Sequence, residues 1–131
     1  MSKKVLVVDD TETIRRYEEM ILSREGYDVE MAADGIEALA KIRAHQPDVV
    51  FLDIMMPRMD GIECCRQIKT DDATKEIKVV MVTTKSEYEK VKEAFEAGCD
   101  DYITKPIDRN ELITKANDLM KFMELRKLLR A

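Results

Sequence analysis

Three short apolar runs in this chain each end abruptly on polar residues, and a stretch with helical spacing follows each one. Val5 to Val8 lead into Asp9 and Asp10, Val49 to Leu52 into Asp53, and Val79 to Val82 into Thr83 and Thr84. A strand with no polar alternation needs cover on both faces, the situation of a central strand in a parallel sheet flanked by helices. Tyr27, Val29 and Met31 instead alternate with Asp28 and Glu30, the pattern of a strand wet on one side. Residues 101–104 form a short, more polar fifth segment.

Between these strands lie helical patterns. Ile14, Tyr17, Ile21 and Leu22 share one face of a helix over residues 11–25 that Gly26 stops. Asp34 with Glu37 forms a helix-start capping pair, and Pro47 lies beyond that helix. Ile62, Cys65 and Ile68 mark a helix over residues 61–70. Ser86 with Glu89 reads as a capping box that opens a helix with Val91, Ala94 and Phe95 inward and Gly98 as its stop. Asp108 with Glu111 starts the last helix, whose inner side carries Leu112, Ile113, Ala116, Leu119, Met120 and Met123. Five β-then-α units predict an α/β fold: a flavodoxin-like (βα)5 doubly wound sheet of five parallel strands in the order 2-1-3-4-5, with the second and fifth strands at the edges.

The 131 residues suit one domain, and 45% hydrophobic with 37% charged residues is an ordinary globular balance. A net charge of −5 argues against non-specific binding of nucleic acid by this domain. No apolar stretch is long enough to span a membrane, and the start of the chain lacks the apolar core of a secretory signal, so a cytoplasmic location is expected. Cys64, Cys65 and Cys99 lack metal-ligand spacing and read as small buried residues of a reducing compartment.

In open α/β sheets, ligands bind beyond the carboxyl ends of the strands. That rim receives Asp9 and Asp10 from strand one, Asp53 from strand three, Thr83 and Thr84 from strand four, and Lys105 from strand five. Carboxylates gathered this closely call for a cation or protons, and an all-oxygen donor set suits a hard ion such as Mg2+. His45, the only histidine, falls at the end of the second helix, so imidazole metal chemistry and Ser/His/Asp or Cys/His catalysis are excluded. Lys105 and Thr83 supply a cation and a hydroxyl donor opposite the acids, a set that fits phosphoryl transfer to a carboxylate. Each feature alone has a commonplace reading as a solvated loop, a turn or a local cap, and their joint placement carries the weight.

Four segments together resemble the receiver domains of two-component response regulators: VLVVDD at 5–10, VVFLDIMMPRMDG at 49–61, VVMVTT at 79–84 and AGCDDYITKP at 97–106. The resemblance covers residues 3–123. It implies that Asp53 is the phosphoacceptor. It also implies that Asp10, Asp53 and the backbone carbonyl of Met55 ligate Mg2+, with Asp9 acting through a water. Thr83 and Lys105 would bind the phosphoryl group, and Tyr102 would be the switch aromatic that moves with Thr83. The simpler reading of Tyr102 is an edge-strand ring packed on the last helix. A cis bond at Lys105–Pro106 is expected. Met55 and Lys85 fall at positions that flank the attacking water, and an apolar Met55 implies slow to intermediate self-dephosphorylation.

The implied function is a phosphoacceptor switch, not a metabolic enzyme. A sensor histidine kinase or a phosphotransfer protein would supply the phosphoryl group. The output would lie on the face made by the fourth helix, fifth strand and fifth helix, which could also pair two receivers. A haloacid-dehalogenase-type phosphatase is the rival, with Asp9 as nucleophile and Asp100-Asp101 as the later acid pair. A degenerate receiver that acts only by interaction is the other. The expected receiver spans residues 1–123, and residues 124–131 extend the last helix. That extension is basic, with leucines rotated off the core stripe, and reads as a helix end, a self-association helix or a connector to a further domain.

Overall fold

The computed structural model describes residues 3–130. The elements alternate along the chain as β1 (Lys4–Val8), α1 (Glu12–Arg24), β2 (Asp28–Ala32), α2 (Gly35–His45), β3 (Val49–Asp53), α3 (Gly61–Thr70), β4 (Lys78–Thr83), a 3-10 turn (Lys85–Glu87), α4 (Lys90–Glu96), β5 (Asp101–Thr104) and α5 (Arg109–Arg130). All strand pairs are parallel, in the expected order β2-β1-β3-β4-β5.

The pleat of the apolar strands divides the core in two. Leu6, Val8, Val50, Leu52, Val79 and Met81 point to the side covered by α2, α3 and α4, where they meet Leu39, Ile42, Ile62, Ile68 and Ala94. Val5, Val7, Phe51, Val80, Val82 and Ile103 point to the other side, against Ile21 and Leu22 of α1 and Leu112, Ala116 and Met120 of α5. The three cysteines are buried and unbridged. Burial pushes their thiols up, to about 12 for Cys64 and Cys99 and about 11 for Cys65, so they behave as small apolar residues. His45 is exposed at the end of α2.

Two of the expected caps form. The Asp34 side chain accepts from the Glu37 amide at 2.9 Å, and Asp108 from the Glu111 amide at 3.3 Å. The third is displaced. Thr84, not Ser86, makes the capping box, and its partner Glu87 closes the 3-10 turn before α4 begins at Lys90. Both Thr84-x-x-Glu87 and Ser86-x-x-Glu89 fit the pattern. Thr84 prevails because it leaves β4 in extended backbone (φ −98°, ψ 166°), as an N-cap must, whereas Ser86 already lies inside the 3-10 turn. Phe95 stands 45% exposed, not inward. On α1 the buried stripe also departs from expectation: Tyr17 is 39% exposed and Glu18 1%. Ile14, Glu18, Ile21 and Leu22 keep the i, i+4, i+7, i+8 spacing, so geometry selects the carboxylate for the core side.

α5 runs unbroken through the expected boundary at 123/124. Arg126 and Arg130 pair with Glu76, and Lys127 lies 2.8 Å from Asp48, which leaves Leu125, Leu128 and Leu129 facing solvent. Met1, Ser2 and Ala131 of the expected ranges lie outside the described residues. No helix among the described residues is long and apolar enough to cross a membrane.

Candidate acidic phosphoryl site

Because all five strands run the same way, their carboxyl ends share one rim, and the side chains after β1, β3, β4 and β5 converge there. Asp9 is fully buried and Asp10 exposed. Asp9 Oδ1 accepts from the Thr11 amide at 2.8 Å, and its carbonyl accepts from the Arg15 guanidinium at 2.6 Å, so the first turns of α1 hold it in place. Asp53 closes β3, 3% exposed. Its Oδ1 accepts from the Met55 amide at 3.3 Å and its Oδ2 from Lys105 Nζ at 3.2 Å. The same ammonium stands 3.0 Å from Asp9 Oδ2, an ion pair too poorly aligned to give that buried oxygen a hydrogen bond.

Oxygens of Asp9, Asp10 and Asp53 lie within 4.8 Å of one another. With one buried oxygen lacking a hydrogen bond and only carboxylate donors, the cluster fits a hard divalent ion. Burial, then the Asp9 charge, raises the Asp53 pKa to about 6 against the pull of Lys105. Burial opposes the charge on Lys105, but Asp9 and Asp53 outweigh it and raise its pKa.

The loop after Asp53 is tightly specified. Gly61 N donates to the Ile54 carbonyl at 2.7 Å, and a Cβ on Gly61 would fall 2.1 Å from the Asp53 carbonyl oxygen. Arg58, at φ 67°, ion-pairs with the buried Asp34, which ties this loop to the one before α2. Met55 is half exposed and its sulfur accepts from Lys90 Nζ at 3.2 Å. Thr83 is fully buried, its hydroxyl donating to the Thr84 carbonyl at 3.1 Å. Tyr102 lies half buried on the edge strand, and Lys85 is exposed. The Lys105–Pro106 bond is cis, as expected.

Sequence reasoning missed Glu18, whose carboxyl lies within the field of Asp9, Asp53 and Lys105. It also missed Arg15, Arg58 and Lys90. Only the helical register of α1 pointed to Glu18. The phosphatase arrangement does not form. Asp100 sits at the opposite end of the sheet, accepting from the Val79 amide at 2.8 Å and pairing with Lys69 and Lys78.

A cleft of about 390 Å³ adjoins the site, lined by Thr13, Ile14, Tyr17, Lys105, Pro106 and Ile107.

Comparison with known proteins agrees with this geometry. The profile of the response regulator receiver domain matches residues 5–117. Protein PilG of Pseudomonas aeruginosa is 45% identical over 111 residues, which is 84% of this chain and 82% of PilG. The transcriptional regulatory protein ResD of Bacillus subtilis is 44% identical over 118 residues, covering 90% of this chain and 48% of ResD, so the chain spans about half of that relative. The chemotaxis response regulator CheY4 of Vibrio cholerae superposes with a TM-score of 0.85 at 34% identity, over 91% of this chain and 99% of CheY4.

Proposed function

The chain belongs to the response regulator receiver domains, the phosphoacceptor switches of two-component signalling, and on that premise we propose that Asp53 is its acceptor. The observation that carries this reading is the Lys105 ammonium shared between Asp53 and Asp9 at the mouth of β3. A carboxylate beside a fixed cation can take on a transferring phosphoryl group, because the charge that develops is met without reorganisation.

The donor in this reading is a phosphohistidine on a sensor kinase or phosphotransfer protein. An Asp53 oxygen attacks phosphorus in line. The new P–O bond forms as the P–N bond breaks, and its electron pair returns to the imidazole, which takes a proton. Lys105 holds one phosphoryl oxygen. Thr83 gives up the Thr84 carbonyl to donate to another, and Tyr102 moves with Thr83, which alters the surface made by α4, β5 and α5. Mg2+ would be held by Asp10, Asp53 and the Met55 carbonyl, with Asp9 through a water, and would neutralise charge on the phosphoryl oxygens. The apolar cleft between α1 and Pro106–Ile107 offers the donor protein a seat beside Lys105. The altered surface then serves a downstream protein, a second copy of the chain or an attached domain.

Mapping the phosphorylated aspartate after reaction with a small phosphodonor tests the assignment. The label is expected on Asp53 and lost in Asp53→Asn. A label on Asp9, or undiminished labelling of the variant, would overturn it, and so would absence of any label from a protein that binds Mg2+ and fluoroberyllate.

A further inference from the structure

Tyr102 does not stand alone on the edge strand. Tyr88, just beyond the 3-10 turn, lies with its ring centroid 6.3 Å away at 62°, and Phe95 of α4 lies 6.2 Å away at 88°. Both are edge-on arrangements that the ring quadrupole favours. Lys115 of α5 places its ammonium 5.5 Å from the Tyr102 centroid. That ammonium is itself fixed, at 3.0 Å from Asp101 Oδ1 and 2.7 Å from the Tyr102 carbonyl. Tyr88 and Phe95 are 60% and 45% exposed, so each ring keeps one side open to solvent while it meets the half-buried Tyr102 edge-on.

The chain between Thr83 and Tyr88 is short and braced. The Thr83 hydroxyl donates to the Thr84 carbonyl, and Thr84 N donates to Glu87 Oε1 at 3.0 Å. A displacement of Thr83 toward a phosphoryl oxygen therefore breaks its bond to Thr84 and disturbs the turn that positions Tyr88. The Tyr88 hydroxyl also raises the Tyr102 phenol above its ordinary pKa, which agrees with their closeness.

We propose that Tyr88 and Phe95 form an aromatic latch that holds Tyr102 in its half-buried resting position and sets how rarely the protein adopts its signalling arrangement before phosphorylation. The latch rests on the proposed role of Tyr102 as the switch residue. Turning Tyr102 inward forfeits both ring contacts, and a ligand at Asp53 must supply what they supplied. Weakening the latch therefore raises the resting inward population and tightens binding of a phosphoryl mimic, since the coupling is reciprocal.

The experiment uses the full chain labelled with 3-fluorotyrosine and titrated with fluoroberyllate in the presence of Mg2+. Tyr17 and Tyr27 act as internal references in the fluorine NMR spectrum. On fluoroberyllate the wild-type Tyr102 resonance moves. In Tyr88→Leu, and independently in Phe95→Leu, it should lie part of the way there without ligand. The fluoroberyllate midpoint should fall roughly three- to tenfold, the loss of one edge contact. Tyr88→Phe keeps the ring and should keep the wild-type fluoroberyllate midpoint, which shows that the leucine variant reports loss of the ring and not of the hydroxyl. Resonances and midpoints unchanged in both leucine variants would overturn the latch while leaving the switch intact. A wild-type Tyr102 resonance that ignores bound fluoroberyllate would overturn both.

Discussion

Glu18 gives the most exacting test of the physical account. It is 1% exposed, and neither carboxyl oxygen has a hydrogen-bond partner. Burial raises its pKa well above the ordinary range, the Asp9 charge adds to this, Lys105 opposes it and Asp53 adds again. Glu18→Met keeps the unbranched length and removes the polar head. A buried group without partners costs about 1–3 kcal/mol, so at pH 8 the variant should gain about that much. For a chain of this size each kcal/mol raises Tm by roughly 3–5 °C. The gain should depend on pH. The folded state keeps the Glu18 proton to higher pH than the unfolded chain, so wild-type stability falls as pH rises from the ordinary carboxyl range to the raised value. Below that window Glu18 is protonated in both states and the difference between wild type and variant narrows. Urea unfolding followed by circular dichroism from pH 4 to 8, with chelator present, measures both effects. A variant that loses stability at pH 8, or a difference that does not vary with pH, would refute the reasoning.

Other predictions concern the rim. With chelator present, the Asp53 side-chain carboxyl should titrate with a midpoint about pH 6 by carbon NMR, and its contribution to stability should fall as pH rises from about 4 to 6. Lys105→Met leaves Asp9 and Asp53 facing each other without their cation; a loss of about 3 kcal/mol is expected in chelator, partly recovered on adding Mg2+, in parallel urea titrations. Gly61→Ala sets a methyl against the Asp53 carbonyl and should cost about 3 kcal/mol or more by the same titration, with acceptor activity impaired in whatever folds. Met55→Asn puts a hydrogen-bonding group where a thioether and Lys90 now meet, and should speed loss of the phosphoryl group about tenfold in a decay assay.

The order of strands was legible because Val5 to Val8, Val49 to Leu52 and Val79 to Val82 have no polar face to offer water. The rim residues were legible because every parallel strand ends on the same side, so the polar residues that terminate the apolar runs gather in one place. Residues that act across the fold were not. Arg58 reaches Asp34, Lys127 reaches Asp48 and Lys90 reaches Met55, and no local pattern marks such partners. Glu18 was hidden for another reason: its chemistry argues for the surface and its helical register for the core, and the register wins. Ser86 failed as a cap because an equivalent motif lay two residues nearer the strand end.

Asp9, Asp53 and Lys105 come from the start, the middle and the later part of the chain and meet only when β1, β3 and β5 are aligned in one sheet. No fragment and no partly opened chain carries that meeting point. Occupancy of the pocket is therefore tied to the whole architecture, and any ion or phosphoryl mimic bound there acts as a clamp on it. Amide hydrogen exchange along strands far apart in the chain should slow together when the pocket is filled, and the acceptor chemistry should vanish cooperatively with the fold.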